Sequence, residues 1–240
     1  GLAGRSGLLV TPTGSGKTLA AVGATLIRGL AERACAAPVG VQAKPAGRAA
    51  AGRAPPASQT ATSQMAASQT ATSQRAAKEP PQPTDQSPVP PPPLPRLRLL
   101  WITPLRALAS DTVLALRRPI DELGLPWTVA LRSGDGSARD RRLIRQGRVE
   151  VLVTTPESLA LLLSYPDLPV HWRGLATVVV DEWHELLGNK RGVLLQLGLA
   201  RLRALSPGLV TWGLSATIGN LDEAREVLLP DDPLAPVVRA

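Results

Sequence analysis

This 240-residue sequence predicts an α/β fold: a mostly parallel sheet with helices on both faces, interrupted by a low-complexity insert. Three observations carry that expectation. Short, nearly continuous apolar runs alternate with helix-like stretches, the pattern of strands buried on both faces. A glycine-rich turn joins the first apolar run directly to the first helical stretch. One long segment, 36–95, shares none of this patterning.

Taken in order, Gly7–Thr11 reads as the first strand and Lys17–Ala34 as the helix after the glycine turn. Leu97–Thr103 is the second strand, and Pro104, suited to a helix's first turn, starts Leu105–Arg117. Trp127–Leu131 and Val149–Thr154 follow as strands, separated by the charged helix Ser137–Gln146. A helix opened by Pro156 covers Glu157–Leu163. Leu175–Asp181 is the most apolar strand, Val193–Leu205 the helix after it, and Val210–Leu214 the last clear strand. Parallel sheets of this kind gather ligands at the carboxyl ends of their strands, where the motifs described below fall.

Segment 36–95 holds 13 of the 24 prolines, repeats ASQTATSQ at 57–64 and 67–74, and ends in the run Pro90–Pro93. It has too little apolar surface to offset its chain entropy, so disorder is expected, with polyproline II over the proline run. A surface insertion in a loop is the first reading, and a docking arm for a partner that grips proline-rich ligands is the second. The folded part is therefore expected in two pieces, 1–35 and 96–240, with the insert 36–95 between them.

The net charge is +8, of which +3 lies in the insert, so the flanking segments are basic as well. That balance points to an anionic partner without choosing among nucleic acid, nucleotide and membrane surface. The single cysteine, Cys35, excludes an internal disulfide framework and a Cys-based zinc site. Two histidines, His171 and His184, make a multi-His metal centre implausible. No stretch approaches the roughly 18 apolar residues of a membrane span. The first ten residues lack the layout of a signal peptide, so a cytoplasmic location is expected. The first residue is glycine, consistent with a piece of a longer protein.

Thr11-Pro-Thr13-Gly14-Ser15-Gly16-Lys17-Thr18 is a Walker A loop with threonine at the usual first glycine. Its glycines let backbone N–H groups face phosphate oxygens, and the following helix presents its positive end. Lys17 is expected to reach the β- and γ-phosphates of ATP, and the Thr18 hydroxyl to ligate magnesium. Asp181-Glu182-Trp183-His184 closes the most apolar strand. Asp181 there suits water-mediated magnesium binding, and Glu182 suits orienting and deprotonating the water that attacks the γ-phosphate. Trp183 reads as packing and His171 as structural.

Together TPTGSGKT, DEWH and Ser215-Ala-Thr217 resemble the ordered motifs of superfamily 2 helicases. Thr103-Pro-Leu-Arg106, Arg132-Ser-Gly134-Asp and Thr154-Thr155-Pro156-Glu-Ser158 resemble the intermediate motifs of that superfamily. GRSGLL, LWITPLRALASD, VLVTTPESLALLLS and TWGLSATIGNLDEA resemble the Lhr family, and DEWHELLGNKRG is most similar to its bacterial ligase-associated DEXH-box branch. The resemblance runs over 1–35 and 96–229.

The resemblance implies a first RecA-like domain that binds ATP and magnesium and tracks along single-stranded nucleic acid. It further implies a 3′-to-5′ translocase that unwinds duplexes, RNA–DNA hybrids included, in DNA repair. A DNA ligase is the implied repair partner, and the bacterial cytoplasm or nucleoid the implied location. Carried over by position, Thr13–Thr18 bind nucleotide, and His184, Ser215 and Thr217 couple hydrolysis to movement. Pro104, Arg106, Gly134, Thr155 and Pro156 would line the nucleic-acid track. Such relatives carry a second RecA-like domain with an arginine finger, worth several orders of magnitude in rate. The 240 residues alone are therefore expected to bind nucleotide weakly and hydrolyse it barely.

The residues taken by themselves leave alternatives. A Thr-Pro before a helix is also ordinary capping, and Arg141, Arg142, Arg145 and Arg148 read first as a solvated helix face and second as an extension of a basic surface. A P-loop phosphotransferase would show an acceptor site and has no use for Ser215-Ala-Thr217. An inactive copy that serves as a binding scaffold would keep every motif.

Overall fold

The computed structural model describes residues 4–12, 16–36, 97–134, 136–216 and 219–239. The insert from residue 37 on, Thr13, Gly14 and Ser15 of the glycine loop, Asp135, and Thr217 lie outside the described residues.

Seven parallel strands form one sheet in the order β3-β4-β2-β5-β6-β1-β7. They are β1 Gly7–Val10, β2 Leu99–Ile102, β3 Val129–Arg132, β4 Val151–Thr154, β5 Thr177–Val180, β6 Val210–Ser215 and β7 Val237–Arg239. The four central strands β4, β2, β5 and β6 read VLVT, LLWI, TVVV and VTWGLS. Apolar side chains on both faces suit strands covered on both sides, and parallel pairing needs a crossover between successive strands.

The helices supply those crossovers. On one face α1 (Lys17–Ala36) and α2 (Arg106–Glu122) pack Val22, Leu26, Val113, Leu116 and Ile120 against Leu9, Trp101 and Val179. On the other, α3 (Ala138–Arg145), α4 (Pro156–Ser164), α6 (Lys190–Leu205) and α7 (Leu221–Leu228) bury Ile144, Leu159, Leu199 and Leu228 against Leu100, Val178 and Val180. Each fully buried aliphatic side chain contributes about 1.5–3 kcal/mol, so the two layers hold the sheet.

The expected fold class stands, with adjusted boundaries. α2 continues past the expected end at Arg117 and contains Pro119. Proline removes one helical donor, but Leu116 and Ile120, each 1% exposed, carry the last turns onto the core. α6 begins earlier than Val193 because the Asn189 side chain caps it, accepting from the Gly192 N–H. The sequence reading missed α5 (Leu168–His171), α7 and β7. Two of these have three or four residues, too short to show a period. α7 was legible: Asn220 and Glu223 cap each other at its start. His171 packs against Gly147, as its structural reading expected. Among the described residues no helix is long and apolar enough to cross a membrane.

Candidate functional site

The carboxyl ends of β1, β6 and β5 lie side by side. The Thr11 N–H donates to the Ser215 carbonyl at 3.1 Å, and the Asp181 N–H to that of Ile102 at 2.8 Å. The first pair ties the glycine loop's start to the end of β6, and the second fixes the acidic pair against β2.

Lys17 opens α1, and its ammonium stands 3.9 Å from Glu182 Oε1. That nitrogen is buried and has no hydrogen-bond partner among the described residues. A buried ammonium without a full set of acceptors is costly, and a phosphate oxygen is the acceptor its position suits. Gly16, at φ +79°, turns the loop into the helix, and a side chain would be strained at that φ. Thr18 is half-buried on the first turn.

Glu182 is the one non-glycine residue with positive φ among the described residues, at φ 44°, ψ 49°. A left-handed residue costs roughly 1–2 kcal/mol. Here it ends β5 abruptly, so that the acid faces Lys17 rather than continuing the strand. Its N–H donates to Asp181 Oδ1 at 3.0 Å. Burial, and next the charge of Glu182, hold the Asp181 carboxyl above the usual aspartate range; the Glu182 N–H and the Lys17 ammonium partly offset them. Among the described residues no three His, Cys, Asp or Glu side chains are arranged to hold a metal ion by themselves. A magnesium ion held by Thr18 and Asp181 would therefore need phosphate oxygens and water to complete its shell.

His184 sits in the single 3-10 turn Trp183–Glu185. Its Nδ1 lies 2.8 Å from Ser215 Oγ and 3.5 Å from Glu182 Oε2, while Nε2 lies 3.3 Å from Glu185 Oε1. One imidazole thus touches both the acidic pair and the end of β6. Trp183 anchors the turn from beneath, fully buried, its indole N–H donating to the Ala224 carbonyl at 2.9 Å. The Trp183 expectation of packing holds, and Thr217 falls outside the described residues.

The residues expected on a nucleic-acid track follow β2, β3 and β4, which are adjacent. The Arg106 guanidinium lies against Gly134, where an added Cβ would stand 3.1 Å from Nη1. Pro104 and Pro156 are buried, and Thr155 is 1% exposed. The Thr155 hydroxyl is spent on its own helix, accepting from the Ser158 N–H at 3.4 Å. What this stretch offers a ligand is thus the start of α4 rather than the threonine side chain.

Arg191 escaped the sequence reading, although it stands in the quoted stretch DEWHELLGNKRG. Its guanidinium donates to Glu157 through Nε at 2.5 Å and Nη2 at 3.3 Å, and to the Pro104 carbonyl at 2.8 Å. The pairing holds the Glu157 carboxyl below the usual glutamate range. One side chain therefore ties the loop after β2 to the first turn of α4. Behind it, Asn189 donates to the Glu185 carbonyl at 2.7 Å, and Gly192 packs directly on the Leu186 carbonyl, leaving no room for a Cβ. The only available signal was an arginine at a helix start, where the dipole disfavours it.

A model of the DEAD/DEAH box helicase family matches residues 1–224. The chain is 38% identical over 138 residues to the ATP-dependent helicase Lhr-Core protein 2 of Thermococcus barophilus, covering 53% of this chain and 16% of that protein. It is 34% identical over 151 residues to the Lhr helicase/uracil glycosylase of Escherichia coli, covering 58% of this chain and 10% of that protein. The solved structure of Mycobacterium smegmatis helicase Lhr bound to ssDNA and AMP-PNP superposes with a TM-score of 0.63 at 28% identity, over 99% of this chain and 24% of that one. The chain thus spans a small part of the length of these relatives.

Proposed function

The chain belongs to the DEAD/DEAH box helicase family, and from that premise we propose that it is the ATP-binding RecA-like domain of a nucleic-acid translocase of the Lhr type. The observation that carries this reading is the buried Lys17 ammonium, which has no hydrogen-bond partner among the described residues and stands 3.9 Å from Glu182, just past the end of β5. The insert 36–95 divides this domain into the pieces 1–35 and 96–240.

Bound Mg-ATP supplies the phosphoanhydride bond and the metal charge; the chain's residues do the rest. By sequence Thr13, Gly14, Ser15 and Gly16 suit phosphate contact through backbone N–H groups, and Lys17 would neutralise phosphate charge. Thr18 and Asp181 would hold the metal. Glu182 orients a water and accepts its proton, held in place by its left-handed backbone and by Lys17. His184, bonded to Ser215 and close to Glu182, passes the state of the acidic pair to the end of β6, and Thr217 is assigned to the same coupling by its motif. Pro104, Arg106, Gly134, Thr155 and Pro156 mark the strand's path, where Arg106 and the backbone at the loop and helix starts, rather than the buried Pro104, Thr155 and Pro156 side chains, would meet phosphate and sugar. The resemblance of DEWHELLGNKRG motivates the finer assignment: the ligase-associated branch, 3′-to-5′ movement on DNA or RNA–DNA hybrids, and a role in repair.

ATP turnover by a protein that carries this domain together with a second RecA-like domain, measured with and without oligo(dT), tests this. Stimulation by the oligonucleotide, lost in Glu182→Gln, is expected. Turnover indifferent to nucleic acid and to Glu182 would instead favour a phosphotransferase or a scaffold.

A further inference from the structure

Outside the predicted track, three arginines converge on one small pocket. Arg132, the last residue of β3, meets Arg141 and Arg145 of α3 above a floor of Ile144 and Leu162, with Tyr165 closing one side. The Arg145 guanidinium stands 5.8 Å from the centre of the Tyr165 ring. None of the three arginines makes an ion pair among the described residues. Among the described residues four arginines do pair with acids: Arg98 with Glu32, Arg118 with Glu122, Arg191 with Glu157, Arg225 with Asp222. The acid on α3, Asp140, is already used, accepting the Leu131 N–H at 3.2 Å. Like charges gathered without a counter-ion repel one another, and a polyanion relieves that repulsion.

We propose that this pocket is a second phosphate-binding site, which holds the nucleic-acid strand where it runs off the sheet's β3 edge. The inference rests on the nucleic-acid reading above and deepens it. Continuity picks the occupant: Arg132 directly precedes Ser133 and Gly134, and Gly134 is the residue that the Arg106 guanidinium covers. A strand that passes Gly134 meets Arg132 next. The Arg145–Tyr165 pair adds an aromatic face beside the charges, the combination that holds single strands without reading their sequence. The sequence reading places Arg132 in a motif of the track, and Arg141 and Arg145, with Arg142 and Arg148, first on a solvated helix face and second on an extended basic surface. Arg142 and Arg148, which do not line the pocket, fit the first description.

The test is oligo(dT) binding by the chain, followed by fluorescence anisotropy over a range of salt and oligonucleotide lengths. Each lost phosphate contact lowers the slope of log affinity against log salt by about 0.7 for single strands. Arg141→Gln with Arg145→Gln is expected to lower it by about 1.4 with longer strands and to leave short ones unchanged. Arg142→Gln with Arg148→Gln, on the same surface, is expected to leave it near wild type. Equal slopes for wild type and the pocket variant overturn the proposal while the track survives. Equal losses in both double variants also overturn it, in favour of a diffuse basic face. Wild type that binds an acidic peptide but no oligo(dT) overturns the nucleic-acid reading, and this proposal with it.

Discussion

Two residues in the site are held at an energetic cost, and both costs have measurable consequences. Glu182 adopts a left-handed backbone that glycine would take more easily, so its carboxylate is retained against local preference. Asp181 is held above the usual aspartate range by burial and then by Glu182. A carboxyl raised in the folded state favours folding fully at pH below its unfolded value and loses that contribution as pH rises through the folded value. At neutral pH the ionised Asp181 therefore costs stability. Asp181→Asn is expected to raise the melting temperature by about 2–4 °C at neutral pH in magnesium-free buffer, with the gain fading in acid. Thermal melts at two pH values check this, and a pH-independent gain would contradict it. That Lys17 would open a helix and Asp181 and Glu182 close a strand was legible, because apolar runs and the glycine turn flank them. The backbone conformation of Glu182 was not, since no residue type announces a left-handed glutamate.

At the scale of elements, caps and strand ends did most of the positioning. Ser137, Thr155, Asn189 and Asn220 each cap a helix with a side-chain oxygen. The first two fell at expected helix starts. Asn189 did not, because the reading waited for apolar periodicity to resume at Val193, while α6 opens on Lys190, Arg191 and Gly192, which carry no apolar side chain. Arg191 lies in that turn and joins the loop after β2 to α4. It was missed because its partners are 34 and 87 residues away, a distance that only the fold closes. Arg191→Ala is expected to weaken oligo(dT) binding about fivefold while leaving nucleotide-analogue binding intact. Arg191→Lys keeps the charge but not the planar fork, so it should fall between the two. Anisotropy titrations of the three proteins decide it; unchanged affinity in the alanine variant would remove Arg191 from the track's support.

For the whole molecule, the alternation of apolar runs with helices was enough to predict the parallel sheet, but not its strand order. The order places β6 between β1 and β5, so Ser215 faces His184 between the lysine and the acids. Strand order depends on which crossover passes which neighbour, and apolar patterning carries no record of that. It also separates two groups of candidate site residues along one edge of the sheet. The β1–β6–β5 end gathers the residues suited to nucleotide, and the β2–β4–β3 end those suited to a strand, with the arginine pocket at its limit. The central claim is that Lys17 and Glu182 form one nucleotide site, the lysine binding and the glutamate reacting. Equilibrium binding of a fluorescent ATP analogue with magnesium, by wild type, Lys17→Ala and Glu182→Gln, tests it most directly. Binding lost in Lys17→Ala and kept in Glu182→Gln is the predicted result; a Lys17→Ala protein that binds the analogue as tightly as wild type would contradict it.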